Sequence, residues 1–376
     1  MKEIYFDNSA TTKISEDALN KYIEISKLQY ANPSSLHKAG FLAEKEVENA
    51  RKILLKAFGT KNEKEIIFTS GGTESDNIAI FGTVLARSRE GKHIITSKTE
   101  HHAVLDCFTF LENRGYDVTY LDVDKQGVIS IEQLKNAVRD DTVLISIMAM
   151  NNETGAVQPI SKVKEYAKNA TVHTDAVQAF GKMDLSQLNA DLISVSAHKI
   201  HGPKGVGALY IKSGTKIKNT VFGGGQEWNL RSGTLNVPGI CAFGSAVEEL
   251  LENFDADNKI YQDLYEYFIN RIKEIDDVVI NSSHKGNIIN VSFKGIRGEV
   301  LLHYLEEKNI FISTGSACNA KSTKISYVLD AMNIDKITAE GAVRISFSKD
   351  NTFEEIDIAV NEIKNGVAFL RKFKRR

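Results

Sequence analysis

A chain of 376 residues with 42% hydrophobic residues, 26% charged residues and only 4 prolines has the composition of a soluble globular protein, long enough for two domains. Its formal net charge of −2 supplies no global field to draw nucleic acid or an anionic membrane surface, so neither is expected as a direct partner. No apolar run approaches the roughly 20 residues of a membrane span, and Met1-Lys2-Glu3-Ile4-Tyr5-Phe6-Asp7 lacks the apolar core of a signal peptide, so a cytoplasmic protein is expected.

Residues 4–7 read as a short strand and Asn8-Ser9-Ala10-Thr11-Thr12 as a polar turn. Ser15 begins a helix with Glu16 and Asp17 in its first turn, where the positive helix end favours acids. Asn32-Pro33-Ser34-Ser35 breaks the chain again. The spacing then predicts a long amphipathic helix over about 36–58, with Phe41, Val47, Ile53, Leu54 and Phe58 on one side and Gly59 as its stop.

Residues 65–69 form a strand that enters Ser70-Gly71-Gly72-Thr73-Glu74, with helical sequence by Ile78. Strand, glycine turn, hydroxyl and helix start together make an anion pocket, since free backbone N–H groups and the positive helix end face one point; an ordinary capped loop fits the same residues. The pattern is neither G-x-G-x-x-G nor that of a P-loop, which weighs against dinucleotide and nucleotide binding. Further strands are predicted over 93–97, ending at Glu100-His101-His102 before a helix, and over 117–121, followed by a helix over about 130–138. Residues 142–150 read as one nearly continuous apolar strand closing on Asn151-Asn152-Glu153. A strand over 171–178 carries Asp175 near its end. Asp191-Leu192-Ile193 opens a buried strand that leads to Ser196-Ala197-His198-Lys199, and 206–211 is a return strand. Strands alternating with helices imply an α/β protein with a mostly parallel sheet covered on both faces.

Thr73, His101, Asn152, Asp175, Gln178, Ser196, His198 and Lys199 stand at successive strand ends. Each could be a cap or a turn residue, but in a parallel sheet they converge on one crevice, where open α/β sheets gather ligands. A partly desolvated lysine beside His198 has the setting for Schiff-base chemistry. Beyond Gly223-Gly224-Gly225 and Arg231-Ser232-Gly233-Thr234, helices are predicted over 238–254 and 261–273, and strands over 278–280 and 288–293 with a helix over 298–307 begin a smaller α+β unit. In the strand at 342–347, Arg344 takes an inward position, either as a salt-bridge partner or as a fork for a carboxylate. The basic end, residues 371–376, reads as a solvated helix terminus. Of the 3 cysteines, Cys107 and Cys241 lie on apolar helical faces, whereas small polar residues around Cys318 read as an exposed, flexible loop. Their spacing holds no CxxC, and no metal site is expected.

Several motifs in fixed order are similar to those of the pyridoxal-phosphate-dependent cysteine desulfurases of the NifS/IscS kind, within the class-V aminotransferase group. They are Asp7-Asn8-Ser9-Ala10-Thr11-Thr12, Thr69-Ser70-Gly71-Gly72-Thr73-Glu74, Thr99-Glu100-His101, Asn151-Asn152-Glu153, Asp175-Ala176-Val177-Gln178, Ser196-Ala197-His198-Lys199, Arg231-Ser232-Gly233-Thr234 and Gly315-Ser316-Ala317-Cys318. The resemblance implies a fold type I transferase: a large cofactor-binding domain, 15–252, with a mostly parallel seven-stranded sheet, and a smaller α+β domain, 1–14 and 253–376, carrying the cysteine loop. It implies pyridoxal 5'-phosphate as cofactor, L-cysteine as substrate, L-alanine as product and a persulfide on Cys318. A homodimer is implied too, with sulfur delivered to an acceptor protein, either an iron–sulfur scaffold or a tRNA-thiolation enzyme.

By the same resemblance Lys199 holds the cofactor as a Schiff base, and Gly72, Thr73, Ser196 and His198 bind its phosphate, with Thr234 reaching in from the other subunit. Asp175 pairs with the ring nitrogen, Gln178 with the ring hydroxyl, and His101 stacks on the ring and moves protons. Asn152 lies at the cofactor and, with Arg344, holds the substrate carboxylate. The long cysteine loop resembles the NifS/IscS subgroup rather than the SufS-like one. The chain ends short of the C-terminal extension that helps IscS-like enzymes dock a scaffold. A selenocysteine lyase is the nearest alternative, and a non-catalytic relative would lack Lys199 or Cys318.

Overall fold

The two largest apolar cores among the described residues, joined by one long helix, organise the chain. The computed structural model describes residues 3–315 and 325–373, so Cys318 and Lys374-Arg375-Arg376 of the basic end lie outside the described residues. The chain begins with β1 (Ile4–Tyr5), α1 (Glu16–Leu28) and α2 (Lys38–Ala57). The Ser15 hydroxyl caps α1 by accepting from the Ala18 N–H at 3.3 Å. On α2 the buried line runs through Gly40, Ala43, Val47, Ala50 and Leu54 at three- and four-residue spacing. Phe41, one step off that line, is 61% exposed, so its expected place on the apolar side is corrected. Gly59, at φ +66°, ends the turn after this helix.

There follow β2 (Ile66–Thr69), α3 (Gly72–Ala86), β3 (His93–Ser97), α4 (His102–Glu112) and β4 (Asp117–Leu121). Next come α5 (Ile131–Ala137), β5 (Thr142–Ser146), α6 (Ile160–Tyr166), β6 (Thr171–Asp175), β7 (Leu192–Ser196) and β8 (Gly207–Ile211). These strands form one seven-stranded sheet in the order β2-β8-β7-β6-β5-β3-β4. Every pairing is parallel except those of β8, which opposes both its neighbours. All residues of β3, β5, β6 and β7 are buried, as a sheet covered on both faces requires.

The strand expected to run to Met150 stops at Ser146. Toward β6 the pairing persists, with the Ile147 and Ala149 N–H groups donating to the His173 and Asp175 carbonyls at 3.1 and 2.8 Å. Toward β3 it fails, because that strand has ended and the Met148 N–H donates to the Glu100 carboxylate at 3.0 Å instead. A side chain has replaced the ladder.

Helix α7 (Val237–Ile272) is a single helix of 36 residues, where two helices were expected. The intervening Asp255-Ala256-Asp257-Asn258-Lys259-Ile260 is polar but holds neither glycine nor proline, so nothing breaks the turn. At 1.5 Å per residue α7 spans roughly 54 Å. Its first half buries Ile240, Phe243 and Val247 in the core of the large sheet, and its second half buries Leu264, Phe268 and Ile272 in the other core.

The second core is closed by β9 (Val278–Ile280), β10 (Ile288–Phe293), α8 (Gly298–Glu306), β11 (Ile310–Phe311), α9 (Tyr327–Ala331), α10 (Lys336–Glu340), β12 (Ala342–Ser346) and α11 (Phe353–Arg371). Strands β12-β10-β9 form an antiparallel sheet, and β1 pairs in parallel with β11, so the N-terminus joins this second body. Phe6, Phe268, Phe293 and Phe347 fill it, each contributing about 1.5–3 kcal/mol by burial. No helix among the described residues is long and apolar enough to cross a membrane.

One buried ion pair pins the large body together. Glu227, Trp228 and Asn229 stand at φ 49°, 58° and 64°, a run of left-handed backbone that non-glycine residues adopt only when held there. Arg51 of α2 forks onto the Glu227 carboxylate at 2.8 and 3.0 Å and donates to the Ile66 carbonyl at 2.6 Å. Glu227 in turn accepts the Phe68 N–H at 2.7 Å. Glu227→Ala, which leaves buried Arg51 the Glu48 carboxylate at 3.3 Å as its remaining counter-ion, is expected to cost about 3 kcal/mol in denaturant unfolding; a loss below about 1 kcal/mol would show that the turn holds itself.

Candidate active site

The carboxyl ends of β2, β3, β5, β6 and β7 open onto one cavity of about 300 Å³. Thr73, His101, Asn152, Asp175, Gln178, Ser196, His198 and Lys199 all line it, as the strand-end argument anticipated, and Arg344 of β12 and Gly315 enter from the second body. Gly72 lines it as well. Thr234 is exposed and does not line it. Cys318 lies outside the described residues.

Lys199 ends a short helical turn, Ala197–Lys199, that follows β7. Its ammonium donates to the backbone carbonyls of Ser9 and Ala10, the latter at 2.9 Å. The Gln178 amide donates to the same Ser9 carbonyl at 2.9 Å. His198 sits with Nδ1 3.2 Å from the Thr11 hydroxyl, and burial, aided by the charges of Lys199 and Lys204, pushes its pKa down to about 4. It is therefore neutral at physiological pH.

One end of the cavity suits an anion. Helix α3 begins behind Gly71, where no side-chain cap bond occurs among the described residues, so first-turn N–H groups are left for another acceptor. A Cβ on Gly72 would meet Val177 Cγ2 at 2.6 Å, so only glycine lets the backbone approach this closely. Thr73, Ser196 and the neutral His198 ring surround the same end.

The floor is acidic, and burial opposes its ionisation. Asp76, Glu100 and Asp175 are buried, and desolvation raises their pKa values to about 7, 8 and 7. The nearby Asp76 carboxyl adds to the rise at Asp175. Beneath them His173 bridges the Ser146 and Ser194 hydroxyls at 2.8 and 3.0 Å, and burial drives it down to about 4. His101 caps α4 by accepting the Ala103 N–H at Nδ1, 3.1 Å away, which leaves the proton of the neutral ring on Nε2. Desolvation lowers its pKa, opposed by the charge of Asp175.

At the other end, Arg344 donates to Asp7 at 2.7 Å and to the Asn152 carbonyl at 3.1 Å. Arg344 Nε and Asn152 Oδ1 are buried without a hydrogen-bond partner among the described residues. Such orphaned polar atoms around a cavity mark the place of a polar ligand. The cavity thus offers an anion cradle, a buried carboxyl floor, an amine and a guanidinium, which together can hold a phosphorylated aromatic cofactor and a carboxylate-bearing substrate. Asp76, Ser9 and Ala10 were not singled out as site residues from the sequence. Asp76 sits one turn into α3, and a carboxyl so soon before the apolar Ile78-Ala79-Ile80-Phe81 was its available signal.

Comparison with known proteins places the chain among relatives of one family. The model of the family described as Aminotransferase class-V matches residues 4–358. A cysteine desulfurase IscS from Dictyoglomus turgidum is 43% identical over 378 residues, covering 98% of this chain and 96% of that protein. A solved NifS-like protein superposes with a TM-score of 0.92 at 38% identity, covering 98% of this chain and 100% of that one. A structure described as SspA in complex with cysteine superposes at 0.83 with 36% identity, over 93% of this chain and 100% of the other.

The floor also predicts a pH signature in the ligand-free protein. With its native pKa near 7 and an ordinary unfolded value of 3.8, Asp76 keeps a proton in the native state that the unfolded chain releases. Its contribution is therefore present at low pH and lost as pH rises from about 4 to about 7. Asp76→Asn removes that loss, so its stability relative to the unmodified protein should climb across this window, by on the order of 4 kcal/mol at most, and level off above it. Unfolding curves from pH 4 to 8 measure this, and a difference independent of pH would show that Asp76 is ionised in the native state.

Proposed function

The chain belongs to the class-V aminotransferase family, and from that membership we propose that it is a cysteine desulfurase, converting L-cysteine to L-alanine and leaving the sulfur as a persulfide on Cys318. The observation that carries the reading is the meeting of Lys199, Asp175, His101 and Arg344 in one cavity beside an uncapped helix end. Pyridoxal 5'-phosphate fits these residues. The start of α3 with Thr73, Ser196 and His198 would hold the phosphate, Asp175 the pyridine nitrogen, and Gln178 the ring hydroxyl; His101 would lie against the ring, and Lys199 would bond the aldehyde carbon. When bound, the cofactor supplies an electron sink for bonds at the substrate Cα.

The chain's own residues do the rest. Arg344 receives the substrate carboxylate at its unpartnered Nε, and the Asn152 amide adds a second polar contact. Anchored there, the substrate presents its Cα to the Lys199 amine, which removes and returns the proton on that carbon. His101, neutral and with its Nε2 proton directed by the cap it forms, serves as a nearby proton donor and acceptor. The Cys318 thiolate attacks the substrate Sγ, the Cβ–Sγ bond breaks, and its electron pair stays with Cβ, which takes up one proton to become the alanine methyl group.

The remaining parts of the reading are a homodimer acting in the cytoplasm and a sulfur-acceptor protein. Thr234 of one subunit would reach the phosphate held by the other, and the exposed Phe222 and Trp228 of the same segment are apolar surface that a second copy would cover. The division into a large domain, 15–252, and a small one, 1–14 and 253–376, belongs to this reading too, with α7 running across the boundary.

Lys199→Ala should fold, lose the visible absorption of the cofactor-loaded protein and make no alanine; full turnover would show that another amine does the work. Cys318→Ala should still change its visible spectrum on adding cysteine yet form almost no alanine, whereas Cys107→Ala and Cys241→Ala should stay active, because burial pushes both thiols up to about 12. Mass spectrometry after cysteine addition decides the point, since persulfide on Cys107 or Cys241 contradicts the assignment. Arg344→Lys should raise KM for cysteine by about tenfold or more, as a point charge cannot reproduce the fork; an unchanged KM would remove Arg344 from the substrate site.

A further inference from the structure

We infer that Lys182 is a positioning residue for Lys199: its side-chain nitrogen ties the segment after β6, which follows Asp175 and carries Gln178, to the turn after β7, which carries the amine. The inference rests on the desulfurase reading and concerns a side chain that the mechanism above leaves unused. Lys182 Nζ donates to the Lys199 carbonyl at 3.0 Å and to the Phe180 carbonyl at 3.2 Å. The ladder between β6 and β7 ends where Asp175 lies opposite Ser194, with the Ala176 N–H donating to the Ser194 carbonyl at 3.0 Å. Past that point Lys182 joins the two segments again, at the residue that bears the amine.

The sequence leaves the Lys199 carbonyl for a side chain. In a continuing helix it would accept the N–H of residue 203, but Pro203 has none. The N–H groups in between are committed elsewhere. Those of Ile200 and Gly202 donate to the Ala197 carbonyl at 3.0 and 2.9 Å, and that of His201 donates to the Thr12 hydroxyl at 2.8 Å. The His198 carbonyl takes the Thr12 N–H at 2.9 Å. Lys182 supplies the donor at the one remaining residue of the turn.

A counter-ion does not account for this lysine. It lines a cavity of about 20 Å³ with Lys199, His201, Glu249, Asp257 and Lys349. Both of those carboxylates pair with Lys349, Asp257 at 3.9 Å, and among the described residues Lys182 has no ion pair. Desolvation, aided by the charge of Lys199, pushes its pKa down to about 7. A charge buried at that cost is explained by the two carbonyls it meets. Gly181, at φ +80°, sets the approach: a Cβ there would meet Leu250 Cδ1 at 2.6 Å and Ile200 Cγ2 at 3.3 Å. Asn258 of α7 holds the same turn by donating to the Gly181 carbonyl at 3.4 Å. The backbone behind the amine is thereby fixed relative to Asp175 and Gln178, and a displacement of about 1 Å at reacting atoms can cost up to a hundredfold in rate.

The test follows Lys199 before and during turnover. In the full chain freed of cofactor, amide hydrogen exchange read by mass spectrometry reports the backbone of residues 197–202. The rate at which visible absorption appears on adding pyridoxal 5'-phosphate reports the amine, and kcat and KM for cysteine in the loaded protein report the whole reaction. Lys182→Met removes the donor at nearly equal length. It should speed exchange at 197–202 by about tenfold with the rest of the chain unchanged, and slow the appearance of the band by about tenfold. It should also lower kcat by about tenfold and keep KM within about twofold, because Arg344 stands on β12. If Lys182→Met does not fold, Lys182→Gln, whose amide stops one atom short, decides by the same readouts with losses of about threefold. Unmodified exchange and band formation in the folded variant, or faster exchange throughout the chain with kcat and KM changed together, overturns the inference. An unmodified protein that forms the band but makes no alanine from cysteine overturns the desulfurase reading instead, and exchange and band formation still decide the role of Lys182.

Discussion

The segment from Asp7 to Ser15 is the constraint on which the two bodies and the cavity between them depend. On one side Asp7 pairs with Arg344, the Asn8 side chain donates to the Ser346 carbonyl at 3.0 Å, and the Ser9 N–H donates to the Ser346 hydroxyl at 2.8 Å. On the other, Lys199 and Gln178 donate to its carbonyls, the Thr12 N–H donates to the His198 carbonyl at 2.9 Å, and the Ser15 N–H donates to that of His201 at 2.9 Å. A short stretch with little secondary structure of its own is thereby held by partners from β12 and from the turns after β6 and β7. Its backbone cannot move without breaking bonds on both sides, and such buried bonds are expensive to leave unmade. The cavity is thus built on a clamp that precedes every strand of the large sheet in sequence.

The chemistry of the floor follows from the same geometry. A parallel sheet brings the ends of neighbouring strands together, and at this edge the side chains that meet are ionisable. Desolvation acts on all of them, and it acts toward neutrality: carboxyls rise and imidazoles fall. Asp175 is the member that a cofactor would use, and its ordinary carboxylate character is suppressed until a positive partner arrives. A protonated pyridine nitrogen is such a partner, and would return Asp175 to its anionic form while offsetting the cost of burying it. Burial first, and then the Asp76 carboxyl, raise the Asp175 pKa, while His101 and His173 oppose them.

Much of this was legible in the sequence because strand ends are legible. β3 and β4 fall on their expected residues, and Asp175 and Lys199 could be placed at the sheet edge from hydrophobic runs alone. The misreadings have local causes. β5 ended early because Glu100 captured a backbone donor, an event no periodicity reports. α7 is one helix where the sequence pattern suggests two, because polar residues on an exposed turn do not end a helix. From its own residues the clamp reads as a polar turn, and only the resemblance marks it as a motif, since its role comes from partners more than 160 residues away, such as Gln178. Asp76 escaped notice for a similar reason: a carboxyl on a helix is ordinary until the fold buries it against a second one.

Arg344 shows how a buried charge can be kept ready for a ligand. An unpaired guanidinium at 4% exposure would carry a desolvation penalty of several kcal/mol, so the fold gives it a resident counter-ion, Asp7, and a carbonyl, that of Asn152. These partners occupy the two terminal nitrogens and hold the planar group in one orientation, while Nε stays buried and without a partner among the described residues. An incoming carboxylate therefore meets a donor that is already dehydrated and aimed, so less of its binding energy goes into ordering the site. Because Asp7 also belongs to the N-terminal clamp, the guanidinium is positioned by the same segment that holds Lys199. The guanidinium and the amine are thus spaced by one stretch of backbone.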